Sequence, residues 1–313
     1  MTAAAGGIIP WGVGLACLAS GLLFVLALCG LSSVEAARVP ASRQRVCRYG
    51  MAGMALAIGT TFYTQNAASL PEIGIAILVG AGISMLAAQR IAIEAIPQGV
   101  AAFHSLAGLA ALAVGIAAYL DPGAVGILDF GAGVATGGDA ATLGEIIPVG
   151  RLGLCLGLAF GAVSVSGSIA TFLKLNGKMA GGPMPPPAHP LITLGMLAVM
   201  LGLMGWFCAM PAPSEAPWPL WAILVLSLAF GFLHVLPIGR VDMPVLLSML
   251  NSCSGWAAAA MGFMSNNMAL VMAGGLVGAS GAALSHRLCR ATNRSLLSVL
   301  GGAPVTEGAV RGL

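Results

Sequence analysis

The sequence predicts an all-α protein that crosses a membrane several times. Hydrophobic residues make up 58% of the 313 residues and charged residues only 7%, whereas charged residues are about 25% of a typical soluble domain. The chain contains 45 glycines, and aromatic residues are only 6%. Because helices in lipid pack closely through small side chains, this composition favours a bundle of membrane helices over a water-soluble core.

The apolar residues occur in segments long enough to span a bilayer as helices. The first, residues 6–31, has no basic residue before it and exceeds the roughly 7 to 15 apolar residues of a signal peptide, so we expect a retained membrane helix. The other predicted spans are residues 51–66, 72–88, 98–120, 150–173, 191–210, 217–236, 244–263 and 267–286. The sequence therefore predicts about nine transmembrane helices.

The basic residues predict how these helices are oriented. If the N-terminus lies outside, only Arg151 falls on the outer side, and the other loop and tail cations fall on the cytoplasmic side. Loops rich in Lys and Arg stay in the cytoplasm, so we expect an outside N-terminus and a cytoplasmic C-terminus. The cations on the expected cytoplasmic side are Arg38, Arg43, Arg45, Arg48, Arg90, Lys174, Lys178, Arg240, Arg287, Arg290, Arg294 and Arg311.

A short segment rich in proline and glycine divides the predicted helices into two groups. Residues 1–180 contain helices one to five, and residues 191–290 contain helices six to nine. Residues 181–190 between them include three consecutive prolines, which predict a stiff cytoplasmic linker. Residues 291–313 are expected to form a short cytoplasmic tail.

Several classes of site are disfavoured by the sequence. A net charge of +3 is too small and too dispersed to indicate nucleic-acid binding. The seven cysteines lack the spacing of zinc ligands, and no histidines are placed as a haem pair. Gly131, Gly133 and Gly138 loosely resemble a dinucleotide fingerprint, but the flanking strand and helix that it requires are missing. We therefore expect no metal site, no bound cofactor and no self-contained active site.

His104 is the first candidate functional residue, because it lies inside the fourth predicted span with no carboxylate nearby in the sequence. Ionisable groups in membrane helices are rare, since a charge at the bilayer centre costs at least about 2.5 to 3.5 kcal/mol. An imidazole exchanges protons near neutral pH, as a proton relay requires. The alternative is a neutral histidine that donates one hydrogen bond between helices.

Asn251, Ser280 and Asp242 are the other candidates from position. Asn251 lies in the polar cluster of the eighth span and can orient a histidine or a water chain, or simply join two helices. Ser280 lies on the ninth span, where small residues also permit close helix packing. Asp242 lies in a predicted cytoplasmic loop, where it forms either a local ion pair with Arg240 or a docking contact for a soluble domain.

A long ordered set of motifs resembles the beta subunit of proton-translocating nicotinamide nucleotide transhydrogenases. The similarity covers most of the chain and is densest near the C-terminus. The matching segments are Pro97, Phe103–Ser105, Gly161–Val163, Gly167–Ser168, Lys174–Leu175, Asp242–Val245, Ser248–Ser252, Ser254–Ala260, Leu276–Ala282, Cys289–Arg290 and Asn293–Ser295.

The resemblance implies roles for the candidate residues. His104 and Asn251 fall on the polar pair of the family's proton path, together with Ser280. Gly281, Asp242 and Arg290 fall on positions suited to signalling to an NADP-binding domain. The implied mechanism is alternating access of His104 to the two sides of the membrane, coupled to the redox state of the nucleotide by domain docking.

The resemblance also implies partners and location. Hydride transfer between NADPH and NAD is expected in the parent complex, with an alpha subunit that binds NAD and an NADP-binding domain that is on a separate chain or missing. A dimer of protomers in a bacterial-type inner (plasma) membrane is expected. The alternative is a non-enzymatic protein on the same scaffold: a proton leak, a small-solute carrier or a degenerate remnant.

Four differences from the family pattern are visible. Gly239-Arg240-Val241 stands where the family usually has Gly-Gly-Ala, and Ala279-Ser280 stands where it often has two serines. Gly153 occupies a position where a glutamate is expected. The chain ends at Leu313 after a short tail, where the family continues into its NADP-binding domain.

Overall fold

The structure, a computed structural model, describes residues 11–31, 40–64, 70–121, 148–180, 189–210, 217–265 and 267–300. All regular secondary structure in these ranges is helical, so the predicted all-α class is confirmed. The helices are α1 (Trp11–Leu31), α2 (Pro40–Thr64), α3 (Leu70–Arg90), α4 (Ile96–Leu120), α5 (Pro148–Leu175), α6 (His189–Ala209), α7 (Trp218–Val235), α8 (Met243–Met264), α9 (Met268–Ala291) and the short α10 (Leu296–Leu300). Single 3-10 turns, Ile93–Ala95 and Arg240–Asp242, precede α4 and α8.

Several of these helices are suited to cross a bilayer. Within the described ranges, five helices are both long and apolar enough to span it. The chain is therefore a multi-pass helical membrane protein. The five helical segments are Ile96–Leu120, Gly150–Leu175, His189–Ala209, Trp218–Val235 and Met268–Ala291.

Helix α2 begins at Pro40, eleven residues before the span predicted at 51–66. Pro40 is its first helical residue, a position that proline favours because the missing N–H has no partner there. Arg43, Arg45 and Arg48, which were expected in a loop, therefore lie on the first turns of α2. Hydropathy detects only the apolar part of a helix, whereas the hydrogen-bonded backbone continues past it.

Helix α5 is the centre of the bundle, because it packs against α4, α7 and α8. Helix α8 in turn packs along α9, and the pair α1 and α2 contacts α9 on the other side. The largest buried cluster lies among α4 to α8 and includes the fully buried Leu158, Phe207 and Ile223. Most described side chains of α3 are exposed. The middle of the chain therefore forms the core that positions the candidate site.

Glycines allow the central helices to pack so closely that their backbones are in contact. A Cβ atom at Gly108 on α4 would lie 2.7 Å from the carbonyl oxygen of Gly161 on α5. A Cβ atom at Gly255 on α8 would lie 2.3 Å from the backbone nitrogen of Gly278 on α9. Real side chains do not fit such gaps, so these crossings require glycine.

Arg151, the cation that the orientation placed on the outer side, is buried near the start of α5. Its guanidinium donates to the carbonyl oxygens of Cys208, at 3.3 Å, and Met210, at the end of α6. The last carbonyls of a helix lack intrahelical donors and carry partial negative charge. Arg151 therefore stabilises the C-terminal end of a neighbouring helix.

Candidate functional site at the contact of α4, α5 and α8

His104 and Asn251 are in direct contact, although they are 147 residues apart in the chain. The distance between His104 Nε2, on α4, and Asn251 Oδ1, on α8, is 3.1 Å. Both side chains are partly buried. The structure thus brings together the two polar residues that the sequence placed on one path.

The acceptor at Asn251 defines the state of the imidazole. An amide oxygen only accepts, so Nε2 must carry the hydrogen and donate it. In a neutral histidine, Nδ1 then keeps a lone pair that can accept a proton. Nδ1 is buried and has no hydrogen-bond partner among the described protein groups. The site therefore contains a proton acceptor within the helix bundle.

Ser164 of α5 links the other two helices at this point, and sequence reasoning missed it. It is fully buried, its hydroxyl donates to the backbone carbonyl of His104 at 3.2 Å, and it lies 2.8 Å from the hydroxyl of Ser254 on α8. The hydroxyl of Ser254 also lies 3.0 Å from the carbonyl oxygen of Leu250. Because each hydroxyl has one hydrogen, two of these three contacts are hydrogen bonds at any one time. Ser164 directly follows the segment Gly161–Val163, which matches the family motifs, and this was the only indication in the sequence. A serine among glycines and valines is equally typical of close helix packing.

The hydroxyl of Ser280 is hydrogen-bonded within its own helix and not to the His104–Asn251 pair. Ser280 lies on α9 and its hydroxyl donates to the carbonyl of Val277, one turn back in the same helix, at 2.8 Å. Its neighbour Gly281 is buried against α8, where a Cβ atom would lie 2.8 Å from the carbonyl of Ser248. In geometry, therefore, Gly281 belongs to the α8–α9 interface, and Ser280 is bonded within α9.

Two serines of α8 cross-link this interface. Ser252 donates to the carbonyl of Gly278 at 2.6 Å, and Ser248 donates to the carbonyl of Gly281 at 2.8 Å. The glycine carbonyls are reachable because no side chain separates the two backbones. Helices α8 and α9 are consequently joined by both close packing and hydrogen bonds, which ties Asn251 to α9.

Asp242 forms an ion pair with Arg294 and not with Arg240, the partner in one of the two alternatives for this residue. Its Oδ2 lies 2.5 Å from the guanidinium Nη1 of Arg294, and both side chains are nearly buried. Arg240 is exposed. Among the described residues, the Asp242 carboxylate therefore pairs with Arg294, and the alternative of a local pair with Arg240 is not seen.

The chain reversal after α9 delivers Arg294 to Asp242. Asn293 adopts a left-handed conformation with φ 52°; its N–H bonds the carbonyl of Arg290, and the N–H of Arg294 bonds that of Cys289. This is the Schellman arrangement that ends many helices. Arg290, the predicted coupling residue, stays exposed on the last turn of α9. The sequence indicated this chain reversal only through Asn293, because asparagine tolerates the left-handed conformation.

Gly153, where a glutamate was expected, faces the α5–α8 contact. A Cβ atom there would lie 3.3 Å from the carbonyl of Ala260 and 3.5 Å from Met264. A longer side chain would have to displace α8 or turn away from it. The glycine therefore permits close packing of α5 on α8.

Other predicted features are described only in part. The glycine-rich connection with Gly131, Gly133 and Gly138, and residues 181–188 of the predicted linker, lie outside the described residues. Within the described ranges, no group of three or more His, Cys, Asp or Glu side chains could hold a metal ion.

Comparison with known proteins identifies relatives of this chain. The family described as NAD(P) transhydrogenase beta subunit matches residues 13–311. The chain is 43% identical over 293 residues to the NAD(P) transhydrogenase subunit beta of Rhodospirillum rubrum, covering 94% of this chain and 58% of that protein. A sequence from a defined strain of the same species gives the same values. The chain therefore spans little more than half the length of these relatives, and it belongs to the NAD(P) transhydrogenase beta subunit family.

Proposed function

We propose that this chain is the proton-translocating membrane part of a nicotinamide nucleotide transhydrogenase. It would couple hydride transfer between NADPH and NAD to proton movement across the membrane. The observation that carries the proposal is the 3.1 Å contact between His104 Nε2 and Asn251 Oδ1, between two helices of the bundle. Few groups in a membrane helix can exchange a proton near neutral pH, and histidine is the main one.

His104 acts as the proton carrier. Nδ1 accepts a proton from one side, and Asn251 continues to accept the Nε2 hydrogen in both charge states. The amide oxygen therefore stabilises the imidazolium and holds the ring in one orientation. Ser164, bonded to the backbone of His104, fixes the same turn of α4 against α5. Release to the other side then requires a change in which side has access to Nδ1.

The start of α8 and the end of α9 are the region that couples proton movement to the nucleotides. Asp242 and Arg294 pair where these two helices approach the same side of the bundle, and the exposed Arg290 lies one turn away from Arg294. An NADP-binding domain that docks here can break or form the Asp242–Arg294 ion pair. This would move α8, the helix on which Asn251 lies. Ser280 and Gly281 on α9 lie along the same route.

The wider assembly follows from the same proposal. Hydride transfer takes place on partner domains, so the chain is a subunit of the enzyme and binds neither NADPH nor NAD by itself. The partners are an alpha subunit with an NAD-binding domain and an NADP-binding domain. The chain crosses a bacterial-type inner membrane nine times, with the N-terminus outside, and works as a dimer of protomers.

A non-enzymatic leak, carrier or remnant is not favoured. The family match extends over nearly the whole chain, and the polar pair is assembled with hydrogen-bond geometry. A remnant has no requirement to keep a histidine in a membrane helix, where it is costly.

The test is coupled activity in inverted membrane vesicles. The vesicles contain this chain with an alpha subunit and a separately supplied NADP-binding domain, and NADPH with an NAD analogue starts the reaction. A pH-sensitive dye reports acidification of the lumen, while absorbance reports hydride transfer. We expect acidification that His104→Ala abolishes.

His286→Ala is the matched control, because His286 is exposed at the end of α9 and lies away from the polar pair. It is expected to leave acidification unchanged. Hydride transfer and acidification that persist in His104→Ala would exclude His104 as the carrier. A complete complex without hydride transfer would contradict the transhydrogenase function itself.

A further inference from the structure

Lys174 is a fully buried cation on the last turn of α5, outside the polar pair. Its ammonium donates to the backbone carbonyl oxygens of Val235 at 3.0 Å, Leu236 at 2.6 Å and Ile238 at 2.9 Å. A lysine ammonium has three N–H donors and no acceptor. Each N–H donor therefore has one carbonyl partner, and the three backbone carbonyls replace water around the ammonium charge.

These carbonyls belong to the end of α7 and the segment that follows it. The last carbonyls of a helix lack intrahelical donors and carry the negative end of the helix dipole. A buried ammonium without such partners would be strongly unfavourable. Lys174 and the end of α7 thus satisfy each other, and neither would be stable in this arrangement alone.

The segment held by Lys174 leads directly to the predicted coupling residue. Residues 236–242 connect α7 to α8: Lys174 holds the first part, and Arg294 holds Asp242 at the other end. Helix α8 begins immediately afterwards, at Met243. Asn251 is eight residues into α8, which is about 12 Å along the helix axis. The segment therefore connects the Asp242–Arg294 ion pair to the helix that carries Asn251 of the His104–Asn251 pair.

The same corner also contacts α4. Gln98, six residues before His104, donates through Nε2 to the carbonyl of Leu175 at 3.2 Å. Leu175 is the residue next to Lys174 at the end of α5. The start of the helix that carries His104 and the segment that carries Asp242 are consequently both fixed to the last turn of α5.

We propose that Lys174 is a positioning residue for coupling, and this rests on the proposed function of the chain. Its ammonium anchors residues 235–238, so that a change at the Asp242–Arg294 pair moves α8 instead of being absorbed by a loose segment. Lys174 itself need not gain or lose a proton. A purely structural lysine would affect folding alone, whereas a positioning lysine affects the protons moved per hydride transferred.

The experiment compares Lys174→Met, which keeps the length of the side chain but removes the charge and the donors, with Lys178→Met. Lys178 is exposed one turn further on and is the matched control. In inverted vesicles with the alpha subunit and the NADP-binding domain, the ratio of acidification to hydride transfer is measured. We expect the ratio to fall at least about tenfold in Lys174→Met, because one charge-assisted hydrogen bond alone is worth a factor of that size and three are lost. The ratio should stay at the wild-type value in Lys178→Met.

A second measurement needs no transhydrogenase activity. Arg240 is exposed within the anchored segment, so trypsin cleavage after it, followed by mass spectrometry in detergent, reports how often the segment opens. Cleavage is expected to be about tenfold faster in Lys174→Met and unchanged in Lys178→Met. If the wild-type complex shows no coupled acidification, the proposed function fails, while the cleavage rates still decide whether Lys174 anchors the segment.

Two results would overturn the role of Lys174. One is a wild-type coupling ratio in an assembled Lys174→Met complex, whatever the cleavage rate. The other is a cleavage rate equal to that of Lys178→Met. If Lys174→Met does not assemble, Lys174→Arg decides: it keeps the charge but cannot match three converging carbonyls with its planar donors. Faster cleavage and a lower ratio in Lys174→Arg support positioning, and wild-type values in both measurements refute it.

Discussion

Asn251 is the residue that turns His104 from an isolated imidazole into an oriented one. Its amide oxygen accepts the Nε2 hydrogen at 3.1 Å, and this leaves Nδ1 as the proton acceptor. An amide does not titrate, so its contribution must be positional. In the proposed function, the two side chains form a unit in which His104 carries the proton and Asn251 sets the geometry.

Replacing Asn251 by Leu should impair proton movement more than stability. The variant keeps a similar side-chain volume but leaves the Nε2 hydrogen of His104 without its acceptor, which costs about 1 to 3 kcal/mol. We expect acidification to fall about tenfold, measured in inverted vesicles at equal amounts of assembled complex.

Cys253→Ala on the same helix is the control, because Cys253 lies two residues away and is partly exposed. Its acidification should match the wild type. Equal losses in both variants would mean that any change in this part of α8 disturbs pumping, and that Asn251 has no special role.

The Asp242–Arg294 pair is a second unit at this scale, and a double-mutant cycle measures it. Both side chains are nearly buried at a separation of 2.5 Å, so removing Arg294 leaves the Asp242 carboxylate without its ion-pair partner. We expect an interaction free energy of about 0.5 to 3 kcal/mol from the unfolding of Asp242→Ala, Arg294→Ala and the double variant in detergent.

The same cycle made with Arg240→Ala in place of Arg294→Ala should give an interaction free energy near zero, because Arg240 is exposed and the ion pair of Asp242 is with Arg294. A larger value for Arg240 than for Arg294 would contradict the pairing.

At the scale of the elements, the α8–α9 pair depends on positions without side chains. A Cβ atom at Gly274 would lie 2.4 Å from the backbone nitrogen of Ala259, whereas one at the adjacent Gly275 would meet nothing within 4 Å. One residue faces α8 and the next faces away from it. The hydrogen bonds from Ser248 and Ser252 add to this contact.

Adjacent alanine substitutions should therefore have opposite effects. Gly274→Ala forces α8 and α9 apart and should destabilise the protein by about 1 to 3 kcal/mol. Gly275→Ala removes backbone freedom without a clash and should be neutral or stabilise by up to about 1 kcal/mol. Thermal unfolding in detergent would measure both, and a lower Tm for Gly275→Ala than for Gly274→Ala would refute this view of the interface.

At the scale of the whole molecule, the distribution of cations predicts the topology. With the N-terminus outside, Lys174, Arg240 and Arg294 all lie on the cytoplasmic side, together with the Asp242 pair. In the structure, Lys174 contacts the segment that leads to Asp242, so these groups do lie at one end of the bundle. In the proposed function, that end is where the soluble nucleotide-binding domains dock.

Reporter fusions test this topology directly. Alkaline phosphatase inserted between residues 122 and 147 should be active, because the connection from α4 to α5 is expected outside, and it should be inactive between residues 181 and 188. A fluorescent protein at the C-terminus should fold and fluoresce in the cytoplasm. Active phosphatase at both sites would show that the number of spans between them is even.

The sequence by itself determined features that depend on one segment at a time. The membrane class, the all-α architecture and the approximate helix positions follow from apolar segments longer than a bilayer is thick, since each segment partitions into lipid on its own composition. His104, Asn251 and Asp242 were identifiable because polar residues stand out in such surroundings. The extension of α2 to Pro40 was missed, since its polar first turns carry no hydropathy signal.

The tertiary structure alone decided which residues meet. That His104 bonds Asn251, that Asp242 pairs with Arg294, and that Ser164 joins three helices depends on where the helices cross. Those crossings are set by glycines whose missing side chains permit contact only with a suitable partner surface. A hydropathy pattern reports whether each helix is apolar enough to lie in a membrane, and most of these helices pass that test alike. It therefore contains no information on which helix faces which.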